Sequence, residues 1–332
     1  IDHSAEPSVC HQKNRLGKMY NNTKLQTKSA GHVKLAVEPE NWRKKRLVEA
    51  VIRAGASVSP IEEASGLIWA DPSRPESLPE LLAPNLEWVQ LPFAGIEPFL
   101  PMLDDQRIWT CGKGVYSQPV AEHVLGSILA LKRGFITYAR TKGWSAPVGE
   151  TLFGSHVVIL GAGGIANDLL PLLSAFDCET TIVRRSNEKV RNATHTACLE
   201  DLPDILPSAD VVVLALALTP ATSRIVDASF LRMMSEKAVL VNVARGKHVV
   251  TADLVEALQS GQIFGAVLDV TDPEPLPENH VLWELENCLI TPHIGNTPEM
   301  GIELLASRVE ENVRRYISGD SLLGELDLKL GY

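Results

Sequence analysis

Short apolar runs alternate along this chain with segments whose apolar positions recur at helical spacing. In the first third, Val33-Lys34-Leu35-Ala36-Val37, Gly66-Leu67-Ile68-Trp69-Ala70 and Trp88-Val89-Gln90-Leu91 predict strands, with helices over residues 42–54 and about 76–82 between them. Farther on, strands are predicted at Val157 to Leu160, Thr180 to Val183, Asp210 to Leu214, Ala238 to Asn242, Gly265 to Asp269 and Cys288 to Thr291. Helices fall between them at residues 168–176, 228–234 and 251–258. Pro119 to Tyr138 reads as one long apolar helix with proline in its first turn, and Pro298 to Ile317 as one long amphipathic helix. Such alternation implies an α/β fold of parallel sheets covered on both faces. The tail Leu326-Asp327-Leu328-Lys329-Leu330 alternates and could return to the first sheet. Residues 1–31 hold no sustained period and read as an extension, without the apolar stretch of an export signal.

The strand at Val157 ends in Gly161-Ala162-Gly163-Gly164-Ile165-Ala166, and this cluster opens a helix. Strand, tight turn and helix in that order begin a dinucleotide-binding unit. A pyrophosphate must meet bare backbone N–H groups at the positive end of a helix, so a side chain at Gly161 or Gly163 would hold it off. Alanine, here Ala166, is tolerated where the third glycine is usual. About 20 residues on, where an acid would bind the ribose 2′-hydroxyl of NAD, stand Arg184-Arg185-Ser186. Two guanidiniums and a hydroxyl suit a 2′-phosphate, so NADP is expected in preference to NAD.

At 332 residues the chain is long enough for two domains, each with its own core. No apolar run approaches the roughly 18 residues that a membrane span needs. The net charge of −10 argues against nucleic acid or an anionic membrane as the main partner, since both require a basic face. An anionic small substrate needs only a local positive pocket. The five cysteines are scattered, with no closely spaced metal-type pair, which predicts a reducing, cytoplasmic setting with no structural disulfide and no metal site.

Several predicted strands end in polar residues that a core would not choose. Arg245 follows a buried strand directly, and a guanidinium there can grip a carboxylate with two parallel hydrogen bonds. Asp269 ends the next strand, Glu274 lies in Thr271-Asp272-Pro273-Glu274-Pro275, and His293 follows the strand after that. In one parallel sheet these ends share an edge with the glycine turn. If Glu274 accepts one ring N–H of His293, it fixes the tautomer and favours the imidazolium, which can protonate a carbonyl oxygen as hydride arrives at carbon. The loop Pro92 to Glu97 lies at another strand's carboxyl end, where ligands of such sheets collect. Glu122 and His123, adjacent on a helix, do not face one another and read as packing or interdomain hydrogen bonding.

On Val157 to Ala166, Leu218-Thr219-Pro220, Leu240 to Gly246, Leu268-Asp269-Val270, Pro273 to Pro277 and Thr291-Pro292-His293-Ile294-Gly295, the chain resembles the D-isomer-specific 2-hydroxyacid dehydrogenases. Within that family it is most similar to the glyoxylate/hydroxypyruvate reductase type, from about Val33 to the carboxyl end. The resemblance implies two Rossmann-like domains: a flavodoxin-like substrate-binding domain from residues 32–118 and 293–332, and an inserted NAD(P)-binding domain over 119–292. It implies catalysis by Arg245, which binds and polarises substrate, Glu274, the partner of His293, and His293, the proton donor. Cofactor would lie against Gly161, Ala162, Gly163, Gly164 and Ile165, with Arg184, Arg185 and Ser186 at its phosphate. Leu218, Thr219, Pro220, Val243 and Ala244 would line it, and Asp269 would meet the nicotinamide carboxamide. Phe93, Ala94 and Gly95 would hold substrate, the backbone of the last two receiving its carboxylate. The family is commonly dimeric through its cofactor domains, which implies a homodimer.

Two departures stand out. Asn296-Thr297-Pro298 replaces the small residues usual after the histidine motif, and Asp177 stands where glycine often ends the first helix. The activity expected is NAD(P)H-dependent reduction of a small 2-keto acid to the D-2-hydroxy acid. One alternative is a D-3-phosphoglycerate or D-lactate-type dehydrogenase, which the pocket near Phe93, Ile96 and Trp144 would distinguish. An alternative of another class is a dinucleotide-sensing binding protein without turnover.

Overall fold

A computed structural model of the chain describes residues 32–71, 73–186 and 188–328, so the expected extension over residues 1–31 lies outside the described residues. The described residues divide into two compact units: one holds those from 32 up to Tyr116 together with those from Thr297, the other Ser117–Asn296.

The first unit contains β1 (Lys34–Glu38), α1 (Lys44–Arg53), β2 (Ser57–Val58), β3 (Gly66–Trp69), β4 (Trp88–Gln90) and β5 (Ile108–Thr110). All pairings are parallel, in the order β2-β1-β3-β4-β5. Leu35, Ala36, Val37, Leu67, Ile68 and Trp69 are fully buried, which is why these strands read as unbroken apolar runs. β3 opens on Gly66 because its neighbours close in: a Cβ there would stand 2.9 Å from Leu35 Cδ2 and 3.2 Å from the Trp88 carbonyl oxygen. Strands β2 and β5 were not predicted, being too short to display a period. The helix expected at 76–82 is a 3₁₀ segment, Pro75–Leu81, since Pro79 inside it has no N–H to donate. Of the alternating tail, residues 329 and 330 lie outside the described residues; Leu326 N–H donates to Trp109 O at 2.9 Å, next to a single bridge between Glu325 and Thr110.

The second unit runs α2 (Ser117–Lys132), α3 (Phe135–Arg140), β6 (His156–Leu160), α4 (Gly164–Ser174), β7 (Glu179–Val183), β8 (His195–Ala197), α5 (Leu202–Ile205), β9 (Val211–Leu214), α6 (Ala228–Met233), β10 (Val239–Asn242), α7 (Thr251–Ser260), β11 (Gly265–Leu268) and β12 (Cys288–Ile290). Its sheet is parallel throughout, ordered β12-β11-β10-β9-β6-β7-β8. One core layer, with Val158, Leu160, Val212, Leu214 and Leu240, covers one face, and a second, with Val157, Ile159, Val211, Val213 and Val241, covers the other. α8 (Pro298–Ser318) then completes the first unit, packed on α1 and pinned there by Arg46 to Glu303 and Arg53 to Glu310.

Other expectations are corrected. The helix read from Pro119 to Tyr138 is two, broken at Gly134, whose φ of 66° suits glycine and where a Cβ would lie 2.7 Å from Val148 Cγ2. The boundary read between 292 and 293 falls after Asn296, because the loop from His293 to Gly295 is hydrogen-bonded to Asp269 of the second unit. Cys111, Cys178 and Cys288 are free thiols. Asp177 takes the left-handed conformation, at φ 51°. Among the described residues no helix is long and apolar enough to cross a membrane.

Candidate active site

In the second unit the strand order reverses between β6 and β9, and ligands of such sheets bind outside the carboxyl ends at that point. The glycine turn leaves β6 there. Gly161 sits at φ 115°, and a Cβ on it would be 2.3 Å from the carbonyl oxygen of Ala215, so the turn and the end of β9 are in backbone contact. Gly161 N–H donates to Val183 at 2.8 Å, which ties the turn to β7 as well. Gly163 differs: a Cβ on it would meet nothing within 4 Å. It caps α4 without a side-chain hydrogen bond, and the first turn of that helix holds no acid. Uncapped N–H groups beneath open space fit a pyrophosphate, and the residues present therefore suit a dinucleotide.

Arg184 and Arg185 follow β7. The Arg184 guanidinium reaches Glu188 at 3.4 Å, and Arg185 is exposed. After β9, Leu218-Thr219-Pro220 is fixed from behind by buried His248, whose Nδ1 lies 2.9 Å from Thr222 O and Nε2 3.3 Å from Leu216 O. Thr219 N–H donates to the Thr222 hydroxyl at 2.8 Å.

β10 ends in Asn242, fully buried, whose amide donates to Arg245 O at 2.9 Å and accepts Ala244 N–H at 3.1 Å. That brace shapes the turn Val243-Ala244-Arg245 and sets the direction in which Arg245 leaves it. Gly246 then presses on the chain after β11, where a Cβ would be 1.9 Å from Thr271 O. The turn carrying Arg245 and the segment carrying Glu274 are thus held backbone to backbone. Glu274 accepts Thr271 N–H at 3.3 Å through one oxygen and meets His293 Nδ1 at 2.7 Å through the other.

His293 adopts φ 54°, unusual for a residue with a side chain. Hydrogen bonds on all sides over-determine that conformation. His293 N–H donates to Asp269 O at 2.8 Å, and the Asp269 carboxylate accepts Ile294 N–H at 2.8 Å, Gly295 N–H at 2.9 Å and the Thr291 hydroxyl at 2.6 Å. Asp269 is almost fully buried, so these bonds form in a medium that strengthens them. His123 Nε2 reaches the Thr291 hydroxyl at 3.1 Å. The sequence reading missed Asn242, Thr291 and the part played by His123. An amide closing an apolar strand was the one available signal; a histidine facing a residue far along the chain leaves none.

Phe93, Ala94 and Gly95 belong to the first unit, after β4. Beneath them Gln90 accepts from Thr110 at 2.9 Å and from Asn312 at 2.8 Å, while Trp88 Nε1–H donates to Thr110 at 2.8 Å, all buried. Tyr116 donates its hydroxyl to Pro92 O, and Gly112 N–H donates to Phe93 O at 2.9 Å. On this rigid base the N–H groups of Ala94 and Gly95 find no partner among the described residues.

The sequence profile described as D-isomer specific 2-hydroxyacid dehydrogenase, NAD binding domain, matches residues 125–295. A Corynebacterium melassecola protein, named only as uncharacterized in the proB 3′ region, is 38% identical over 90% of this chain and 100% of its own length. Human glyoxylate reductase/hydroxypyruvate reductase is 35% identical over 54% of this chain, which spans 55% of the human protein's length. Among solved structures, a D-isomer specific 2-hydroxyacid dehydrogenase from Xanthobacter autotrophicus, in complex with NADPH and MES, superposes with a TM-score of 0.78 at 27% identity, covering 91% of this chain and all of that one. The chain belongs to the D-isomer specific 2-hydroxyacid dehydrogenases, oxidoreductases that act on small hydroxy or keto acids with a nicotinamide cofactor.

Proposed function

We propose that the chain reduces a small 2-keto acid of the glyoxylate or hydroxypyruvate kind to the D-2-hydroxy acid, with NADPH preferred over NADH. The observation that carries this reading is the 2.7 Å contact of His293 Nδ1 with Glu274 Oε1, on a loop that Asp269 fixes, beside the strand end bearing Arg245. Nδ1–H donates to the carboxylate, which leaves Nε2 to carry the mobile proton. The charged imidazole gives that proton to the carbonyl oxygen as negative charge gathers there, and takes it back in the reverse direction. Arg245 holds carboxylate and carbonyl oxygens with parallel N–H groups, and Ala94 and Gly95 add backbone donors to the carboxylate. A bound dihydronicotinamide supplies the hydride.

Gly161 to Ile165 hold the pyrophosphate, while Arg184, Arg185 and Ser186 take the 2′-phosphate. Leu218, Thr219, Pro220, Val243 and Ala244 would line the nucleotide, and Asp269 would meet the carboxamide. The human relative's name and the NADPH in the Xanthobacter complex support substrate and cofactor. The chain acts as a homodimer through its cofactor-binding unit; Phe135, Trp144, Val148 and Phe153, all strongly exposed on that unit, support this.

Initial rates for glyoxylate, hydroxypyruvate, pyruvate and phosphohydroxypyruvate with each cofactor test the reading. The first two with NADPH are expected to be fastest; preference for either of the others would point to a D-lactate or D-3-phosphoglycerate enzyme. His293→Ala lowers turnover by about 10²–10⁴-fold with cofactor still bound. A variant of undiminished activity refutes the assignment, and cofactor binding with no turnover by the native protein would make it a sensor.

A further inference from the structure

The first unit presents a cation that the chemistry above does not use. Arg43 stands at the start of α1, past the carboxyl end of β1, on the same sheet edge as the loop after β4. Its guanidinium carbon is 4.8 Å from the centre of the Trp42 ring and 5.7 Å from that of Phe93, the residue before Ala94. Phe93 in turn meets Tyr116 edge-on at 6.0 Å between ring centres, so the stack ends on the side chain that braces the loop.

Arg43 is only partly exposed, and partial burial draws its pKa below the usual arginine value while Tyr116 and Asp71 act the other way. Nevertheless no carboxylate among the described residues pairs with it. Asp71 is already engaged: Oδ1 accepts Ser73 N–H at 2.8 Å and the Ser73 hydroxyl at 2.6 Å, and Oδ2 accepts Arg74 Nε–H at 3.1 Å. Stacking on ring faces leaves the in-plane N–H edges of a guanidinium available for an oxyanion. Ring contact also limits its freedom, so less entropy is lost when it binds.

We propose that Arg43 is a specificity-determining residue, receiving the distal carboxylate of 2-keto diacids, substrates longer than the glyoxylate and hydroxypyruvate of the reaction proposed above. The unpartnered amides of Ala94 and Gly95 take the carboxylate next to the keto carbon, and Arg43, against Phe93, takes the distal one. The substrate class this favours is the 2-keto dicarboxylates over monoacids of equal length. The assignment rests on the reduction proposed above, so its test needs a readout besides turnover.

Two matched pairs, oxaloacetate with 2-oxobutyrate and 2-oxoglutarate with 2-oxopentanoate, supply the test. For at least one pair kcat/KM is expected to favour the diacid by about tenfold or more, the worth of one charge-assisted pair. Arg43→Gln lowers the diacid value by roughly 10–100-fold and the monoacid value by less than about threefold, and Arg43→Lys restores part of the difference. In parallel, calorimetric titration of malonate, succinate and glutarate into the protein saturated with NADP⁺ shows binding that Arg43→Gln removes. Equal losses on both members of each pair overturn the proposal, as does dicarboxylate binding indifferent to the variant. If no 2-keto acid turns over but dicarboxylates bind through Arg43, the reduction falls and the subsite stands.

Discussion

Gly246→Ala tests the claim that the proposed catalytic groups are held in register by backbone contact. The added Cβ would stand 1.9 Å from Thr271 O and 2.0 Å from Thr271 C, both backbone atoms that cannot rotate aside. Ordinary contact begins at 3.4 Å, so the two segments must part by about 1.5 Å, the difference of 3.4 and 1.9. Overpacking costs about 1–3 kcal/mol, and backbone against backbone belongs at the upper end. Loss of glycine's freedom in the unfolded chain returns about 0.4–1 kcal/mol. The net expectation is about 2 kcal/mol, or a fall of roughly 4–8 °C in Tm for a unit of this size. Activity should suffer more, because misplacement by about 1 Å costs on the order of 10²-fold, and Arg245 moves relative to Glu274 and His293. Scanning calorimetry and NADPH oxidation at saturating keto acid read the two effects. A variant with native Tm and kcat within about threefold of the parent would show that the contact does not set the geometry.

Gly163→Ala gives the opposite pattern, since its Cβ enters open space: Tm is unchanged or slightly raised while NADPH binding, followed by fluorescence titration, weakens at least about tenfold. Replacing Arg184 and Arg185 together by alanine weakens NADPH far more than NADH; equal losses for the two cofactors would mean that the pair does not read the phosphate. Burial works against the charge of Asp71, but hydrogen bonds from Ser73 and Arg74 outweigh it and hold its pKa below the usual value. A depressed folded pKa means stability that is present above the unfolded value of about 3.9 and lost as pH falls through the folded one. Asp71→Asn therefore lowers the urea midpoint at pH 7, with the gap to the native protein closing below about pH 4; a gap constant with pH would remove the charged carboxylate from the explanation.

Much of this protein is written locally. Parallel strands buried on both faces must be apolar along their whole length, so Val157 to Leu160 and Val239 to Asn242 announce themselves, and a turn that lets a phosphate touch backbone needs glycine at Gly161. Arg245, Glu274 and His293 stand out in the sequence as candidates because polar side chains near the ends of buried strands have no reason to be there except chemistry or a brace. The short strands β2 and β8 were not legible, since pairing with a longer neighbour defines them and no apolar run of their own does. The break at Gly134 was hidden for a similar reason, because it depends on Val148 lying against it.

Sequence thus determined which elements form and which residues collect at the carboxyl edge of the sheets. Tertiary structure alone decided how those residues are held: Asp269 turned inward to bind the His293 loop, Thr291 linking it to His123, Gly246 pressed on Thr271, Arg43 laid on Phe93. Each of these joins positions distant along the chain, and a contact between distant positions imposes no spacing on the residues around either one. Local periodicity records burial, whereas register between loops is fixed only when the strands that carry them come side by side.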